Sequence, residues 1–121
     1  MGQASILVVD DDSDVRTMLC LVLSAEGYCA EGAADGLEAL ERMRSAGPPA
    51  LTLVDLMMPR MNGEDLIRAM TEDPSLGRVP IAIISGQLTS RTMPHTPQVI
   101  ARLVKPVELD ELLTVVHRVA G

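Results

Sequence analysis

A chain of 121 residues reads as one domain, residues 1–121, long enough to bury roughly two thirds of the surface that its unfolded form would expose. Its net charge of −7 comes with ten Lys and Arg that do not cluster, which argues against direct nucleic-acid binding. No apolar run reaches membrane-spanning length and Met1 to Ser5 lacks the regions of a signal peptide, so a cytoplasmic protein without a membrane partner is expected.

Ile6-Leu7-Val8-Val9 is a run of strand formers that ends in Asp10-Asp11-Asp12. Val15, Met18, Leu19, Val22 and Leu23 then recur at helical spacing, with Asp12 or Ser13 placed to cap the start and Gly27 to end it. Tyr28 to Gly32 fits a short second strand, and Ala33, Leu37, Leu40 and Met43 mark a helical face that stops before Gly47-Pro48-Pro49. Cys20 and Cys29 fall in the first helix and this second strand, where reduced, buried thiols are expected.

Leu51-Thr52-Leu53-Val54 is the third strand and closes on Asp55. Pro59 and Asn62-Gly63 punctuate a loop, and Leu66, Ile67 and Met70 give a third helix ending near Asp73-Pro74. Pro80 to Ile84 forms the fourth strand, which leads into Ser85-Gly86. From Gln87 to Gln98 the periodicity fails, and Pro94 and Pro97 exclude a long regular helix. Ala101 to Val104 is the fifth strand, ending at Lys105-Pro106, and Leu109, Leu112, Leu113 and Val116 line the closing helix. Alternating strands and helices predict a doubly wound α/β domain with a parallel sheet. With Tyr28 the only ring among Phe, Trp and Tyr, its core must rest on aliphatic side chains and Met.

In such a sheet, ligands bind beyond the carboxyl ends of the strands. Those ends carry Asp10 and Asp11, Asp55, Ser85 and Lys105. Neighbouring strands lie ~4.8 Å apart, which brings the carboxylates within reach of one cation. Like charges so crowded are costly without a metal or a proton, so an acidic pocket for a hard divalent ion is expected. Met57, Met58 and Met61 could hold soft copper through thioethers, but core filling and loop contacts explain them better. His95 lies between two prolines without a ligand-spaced partner, and His117 ends the last helix, where the dipole favours a cation; neither reads as catalytic.

Taken together, Leu7-Val8-Val9-Asp10-Asp11, Leu53-Val54-Asp55-Leu56-Met57-Met58-Pro59 with Asn62-Gly63, Ile84-Ser85-Gly86 and Val104-Lys105-Pro106 resemble the receiver domain of bacterial two-component response regulators along essentially the whole chain. The resemblance implies a flavodoxin-like five-stranded sheet in the order 2-1-3-4-5. It implies that Asp55 accepts a phosphoryl group from a histidine kinase or histidine phosphotransfer protein. It further implies magnesium, for which manganese could substitute, held by Asp10, Asp11, Asp55 and the backbone carbonyl of Met57. Lys105 would neutralise a phosphoryl oxygen, with a cis Lys105–Pro106 bond, and Ser85 would act as the hydroxyl switch. Gly86 would leave access beside the site, and Met57 and Gln87 stand where the family tunes dephosphorylation. The protein is expected to be no turnover enzyme, and a monomer or weak dimer.

Two features depart from that pattern. Arg102 occupies the place of the family's aromatic switch, three residues before Lys105. The segment between Ser85 and Lys105 is short and carries two prolines, so the helix usual there is expected to be short or irregular, and to become ordered on phosphorylation. Two rival readings share some of these residues. A haloacid-dehalogenase-like phosphatase would use Asp10 and Asp12 as its paired carboxylates, but leaves the segment after Asp55 unexplained. A receiver-fold binding module that is no longer phosphorylated would have no use for Asp10, Asp11, Asp55, Ser85 and Lys105 together.

Overall fold

The computed structural model describes residues 4–58, 60–86 and 96–120. Five strands, β1 (Ser5–Val9), β2 (Cys29–Ala33), β3 (Leu51–Asp55), β4 (Ile81–Ser85) and β5 (Val99–Val104), form one sheet in the order β2-β1-β3-β4-β5. Every neighbouring pair runs parallel, and the register sets Val9 beside Val54 and Ser85 beside Val104. The helices among the described residues are α1 (Ser13–Ala25), α2 (Gly36–Ala46), α3 (Gly63–Glu72) and α4 (Leu109–Ala120). The expected fold and strand order are therefore present.

The apolar runs follow from having helices on both faces of the sheet. Leu7, Val9, Val54, Ile81 and Ile83 pack with Leu40, Met43, Leu66, Ile67 and Met70 of α2 and α3. Ile6, Val8, Leu51, Leu53, Ala82, Ile84 and Leu103 pack on the other face with Leu19 and Leu23 of α1 and Leu112, Val115 and Val116 of α4. Because side chains alternate across a strand, β1, β3 and β4 contribute to both clusters and are mostly apolar in their middles, with buried Thr52 the polar exception in β3.

Three expectations need correction. Ala33 is the last residue of β2 and not part of the α2 face, since α2 begins only after Asp35 has capped it. The small residues Gly32, Ala33 and Ala34 carry little signal for either state. Cys20 in α1 is half-buried and Cys29 exposed, both free; Cys29 is exposed because β2 is an edge strand of alternating exposure. The stretch expected to be irregular lies mostly outside the described residues, which resume at Thr96; β5 begins at Val99, two residues before Ala101.

At the foot of β5, Gln98 is buried and satisfies three groups at once. Its Nε2 donates to the carbonyls of Leu76 and Val79, each at 2.8 Å, and its Oε1 accepts from the Thr71 hydroxyl at 3.0 Å. This amide joins the α3–β4 connection to the entry of β5.

Candidate functional site

β1 and β3 are adjacent, so the chain leaves both at the same edge of the sheet and delivers Asp10 and Asp55 side by side. Both are buried, whereas Asp11 is exposed at the rim. One carboxylate oxygen from each of Asp10, Asp11 and Asp55 lies within 4.8 Å of the others. The donor set is all oxygen and anionic, which suits magnesium and not copper. Asp10 Oδ2 is buried and accepts no hydrogen bond, though the Lys105 ammonium lies 3.0 Å away as an ion-pair partner. A buried carboxylate oxygen with an unused lone pair fits a cation-binding role.

The two buried carboxylates are aimed by backbone. Asp10 Oδ1 accepts from the Asp12 N–H at 2.9 Å, and its main-chain N–H donates to the Ala33 carbonyl at 3.1 Å. The Asp10 carbonyl in turn accepts from Arg16 Nη1 at 2.7 Å. Asp55 Oδ1 accepts from the Met57 N–H at 3.0 Å, and its Oδ2 from Lys105 Nζ at 2.9 Å. The Met57 side chain itself is exposed, while Met58 and Met61 pack against the α2–α3 core cluster. Lys105 reaches in from the end of β5 across a cis Lys105–Pro106 bond.

One ammonium faces two buried carboxylates. Burial raises the pKa of Asp55 above its ordinary value, and the nearby Asp10 charge adds to this, outweighing the hydrogen bonds from Lys105 and Met57 that favour the anion. Burial opposes the Lys105 charge, yet its hydrogen bond to Asp55 and its pairing with Asp55 and Asp10 prevail and raise its pKa. A simple ion pair would lower the acid while raising the base. Here both rise: burial dominates at Asp55, while at Lys105 the facing carboxylates outweigh burial.

Ser85 is buried at the end of β4, next to Lys105 in the ladder, since the Lys105 N–H donates to the Ser85 carbonyl at 2.8 Å. Gly86 is exposed, and among the described residues nothing lies within 4 Å of where a Cβ would stand there. Asp12 turns away from this cluster to cap α1, its Oδ1 accepting from the N–H groups of Asp14 and Val15. The phosphatase pairing of Asp10 with Asp12 thereby loses its second carboxylate. Arg102 is exposed on β5, and His117 pairs with Glu26 and contacts the Tyr28 ring far from the acidic edge. His95 and Gln87 lie outside the described residues.

Three residues that support the site gave no signal in the sequence. Arg16 holds the Asp10 carbonyl, and its stem lies so close over Gly32 that a Cβ there would come within 2.7 Å of it. Asp35 and Arg60 form an ion pair between the start of α2 and the loop after β3. Their partners are distant in the chain, so periodicity cannot reveal them.

Comparison with known proteins agrees with this geometry. The family model described as the response regulator receiver domain matches residues 6–117. The chain is 40% identical over 110 residues to the response regulator MprA of Mycobacterium ulcerans, covering 89% of this chain and 46% of that protein. It is 42% identical over 82 residues to the DNA-binding response regulator MtrA of Mycolicibacterium paratuberculosis, covering 68% of this chain and 35% of that one. The chain thus spans less than half the length of these relatives. Among solved structures, the chemotaxis protein CheY4 of Vibrio cholerae superposes with a TM-score of 0.86 at 28% identity, over 98% of this chain and 99% of the other. A response regulator receiver protein from Pseudomonas putida gives 0.87 at 29% identity over 98% of each.

Proposed function

Since the chain belongs to the response regulator receiver domain family of two-component phosphorelay signalling, we propose that Asp55 is its phosphoacceptor and that residues 1–121 act as one receiver unit. The observation that carries this reading is the convergence of Asp10, Asp11 and Asp55 within 4.8 Å, with Lys105 Nζ 2.9 Å from Asp55 Oδ2.

Phosphoryl transfer is governed by positioning and charge stabilisation more than by covalent chemistry from the protein. An Asp55 oxygen attacks the phosphorus of the donor, the bond from phosphorus to the donor's leaving group breaks, and an acyl phosphate forms. Water later attacks the phosphorus and returns the carboxylate and inorganic phosphate. Receiver domains generally bind Mg²⁺ at an acidic pocket; here Asp10, Asp11, Asp55 and the Met57 carbonyl would hold it, and manganese would substitute. When bound, the ion supplies charge neutralisation for the phosphoryl oxygens. Lys105 adds a point charge on the other side and keeps the Asp55 carboxylate oriented. Ser85 provides a hydroxyl beside Lys105 as the switch group.

The donor is a histidine kinase or histidine phosphotransfer protein, and the site performs self-phosphorylation and self-dephosphorylation without turnover of external substrates. We assign residues 1–121 no nucleic-acid or membrane contact of their own, a monomeric or weakly dimeric state, and a place in the cytoplasm, where Cys20 and Cys29 stay reduced. Intact-mass measurement after incubation with acetyl phosphate and Mg²⁺ tests the central claim. Wild type should gain one phosphoryl group and Asp55→Asn none; undiminished labelling of the variant would remove Asp55 from this role.

A further inference from the structure

We propose that Asp35 and Arg60 are a positioning pair, tying the start of α2 to the β3–α3 loop and so fixing the Met57 N–H against the Asp55 carboxylate. Its kinetic consequence rests on Asp55 being the phosphoacceptor; its structural consequence does not.

The side chain of Met57 is 74% exposed and so gains nothing from burial that would fix its backbone. The direction of its N–H, the partner of Asp55 Oδ1, is set instead by its neighbours, buried Leu56 and core-packed Met58, and by tethers further along the loop. The Gly63 N–H donates to the Leu56 carbonyl at 3.1 Å and closes the loop at its base. The Gly36 N–H donates to the Met61 carbonyl at 3.0 Å and fastens the loop to α2. A Cβ on Gly36 would come within 2.8 Å of that carbonyl oxygen, so the approach needs glycine.

Between these two bonds stands Arg60, a non-glycine residue with φ 59, in the left-handed region that arginine rarely adopts. A residue persists there only where its surroundings over-determine it. Its side chain is 61% exposed, so packing is not the cause. The guanidinium instead donates from Nε at 2.7 Å, and from Nη2, to Asp35 Oδ2. Asp35 is buried and anchored, because its Oδ1 also accepts from the Glu38 N–H at 3.0 Å as the cap of α2. The one carboxylate thus anchors a helix end and holds the loop in its costly conformation.

The test uses Asp35→Asn, which retains an oxygen to cap α2 but loses the charge, Arg60→Gln, and the double variant, each checked to be folded at the assay temperature. In metal-free protein, amide hydrogen exchange at Met57 should speed up about tenfold in each single variant, while Ile83 in β4 stays as in wild type. The rate constant for acetyl phosphate labelling at saturating Mg²⁺ should fall about three- to tenfold, with no further loss in the double variant, because both substitutions remove the same contact. Arg60→Lys should recover part of both. Unchanged Met57 exchange and labelling, even with a lower melting temperature, would make the pair purely structural and overturn the proposal; so would losses that add in the double variant. If wild type is not labelled at all, the phosphoacceptor reading fails while Met57 exchange still decides the pair.

Discussion

Lys105 is the sole cation within ion-pair distance of Asp10 and Asp55 among the described residues, and its side chain keeps only 27% exposure. Removing one partner of a buried pair is costly because the other charge is left without compensation. Lys105→Met should therefore cost about 3 kcal/mol of stability in EDTA, the low end for buried pairs given the partial exposure. Urea unfolding with and without Mg²⁺ measures it, and the loss should shrink when the metal supplies the missing charge. Asp35 makes the opposite kind of prediction. The Glu38 N–H lowers its pKa more than burial raises it, and Arg60 lowers it further. A depressed folded pKa means that the unfolded chain binds the proton more readily, so this carboxylate contributes stability above its ordinary value of 3.8 and loses it as the pH falls through the lower folded value. The stability gap between wild type and Asp35→Asn, read by urea unfolding, should be full near neutral pH and narrow progressively in the acid range below the ordinary carboxylate value.

At the scale of elements, the end of β3 depends on the start of α3. A Cβ at Gly63 would lie 2.6 Å from the Asp55 carbonyl oxygen and 2.7 Å from Leu56 Cα, both backbone atoms that cannot rotate aside. Gly63→Ala should therefore destabilise by about 1–3 kcal/mol and slow phosphoryl uptake by displacing the segment that carries Asp55. Gly86→Ala, beside the same site but in open space, is the control and should change stability by less than about 0.5 kcal/mol. These elements differ in how well the sequence announces them. β1, β3 and β4 were legible because strands covered on both faces are nearly continuously apolar, Thr52 apart, and Asp10, Asp55 and Ser85 stand out as the polar groups that end them. β2 was misplaced by one residue, since an edge strand of Cys, Ala, Glu and Gly has neither alternation nor bulk to mark it. Arg16, Asp35 and Arg60 were illegible for a different reason: each acts on a group that only the fold brings near, and a lone charged residue in a helix or loop looks like solvated surface.

For the molecule as a whole, the acidic edge is a place where ligand binding and folding are linked. The cluster exists only when β1 and β3 are paired, so Mg²⁺ held there would favour the folded chain over the unfolded one. At 100 times its dissociation constant the ion should add about 2.7 kcal/mol, visible as a rise in melting temperature. Asp11→Asn, which removes one carboxylate of the cluster, should weaken that rise strongly. A wild-type melting temperature insensitive to Mg²⁺ would contradict the metal assignment.

Tyr28 stands immediately before β2, at the amino edge of a parallel sheet whose carboxyl edge holds the acidic cluster, and it is buried among side chains of the α1–α4 face. The only strong near-ultraviolet chromophore of the chain therefore sits a full strand length from Asp55. Its signal should follow unfolding faithfully and stay silent when a cation or phosphoryl group arrives. The molecule would then carry a built-in optical gauge of its integrity, insulated from the state of its site, and a spectroscopic reporter of signalling would have to be introduced near Gly86, where no described residue lies within 4 Å of an added Cβ.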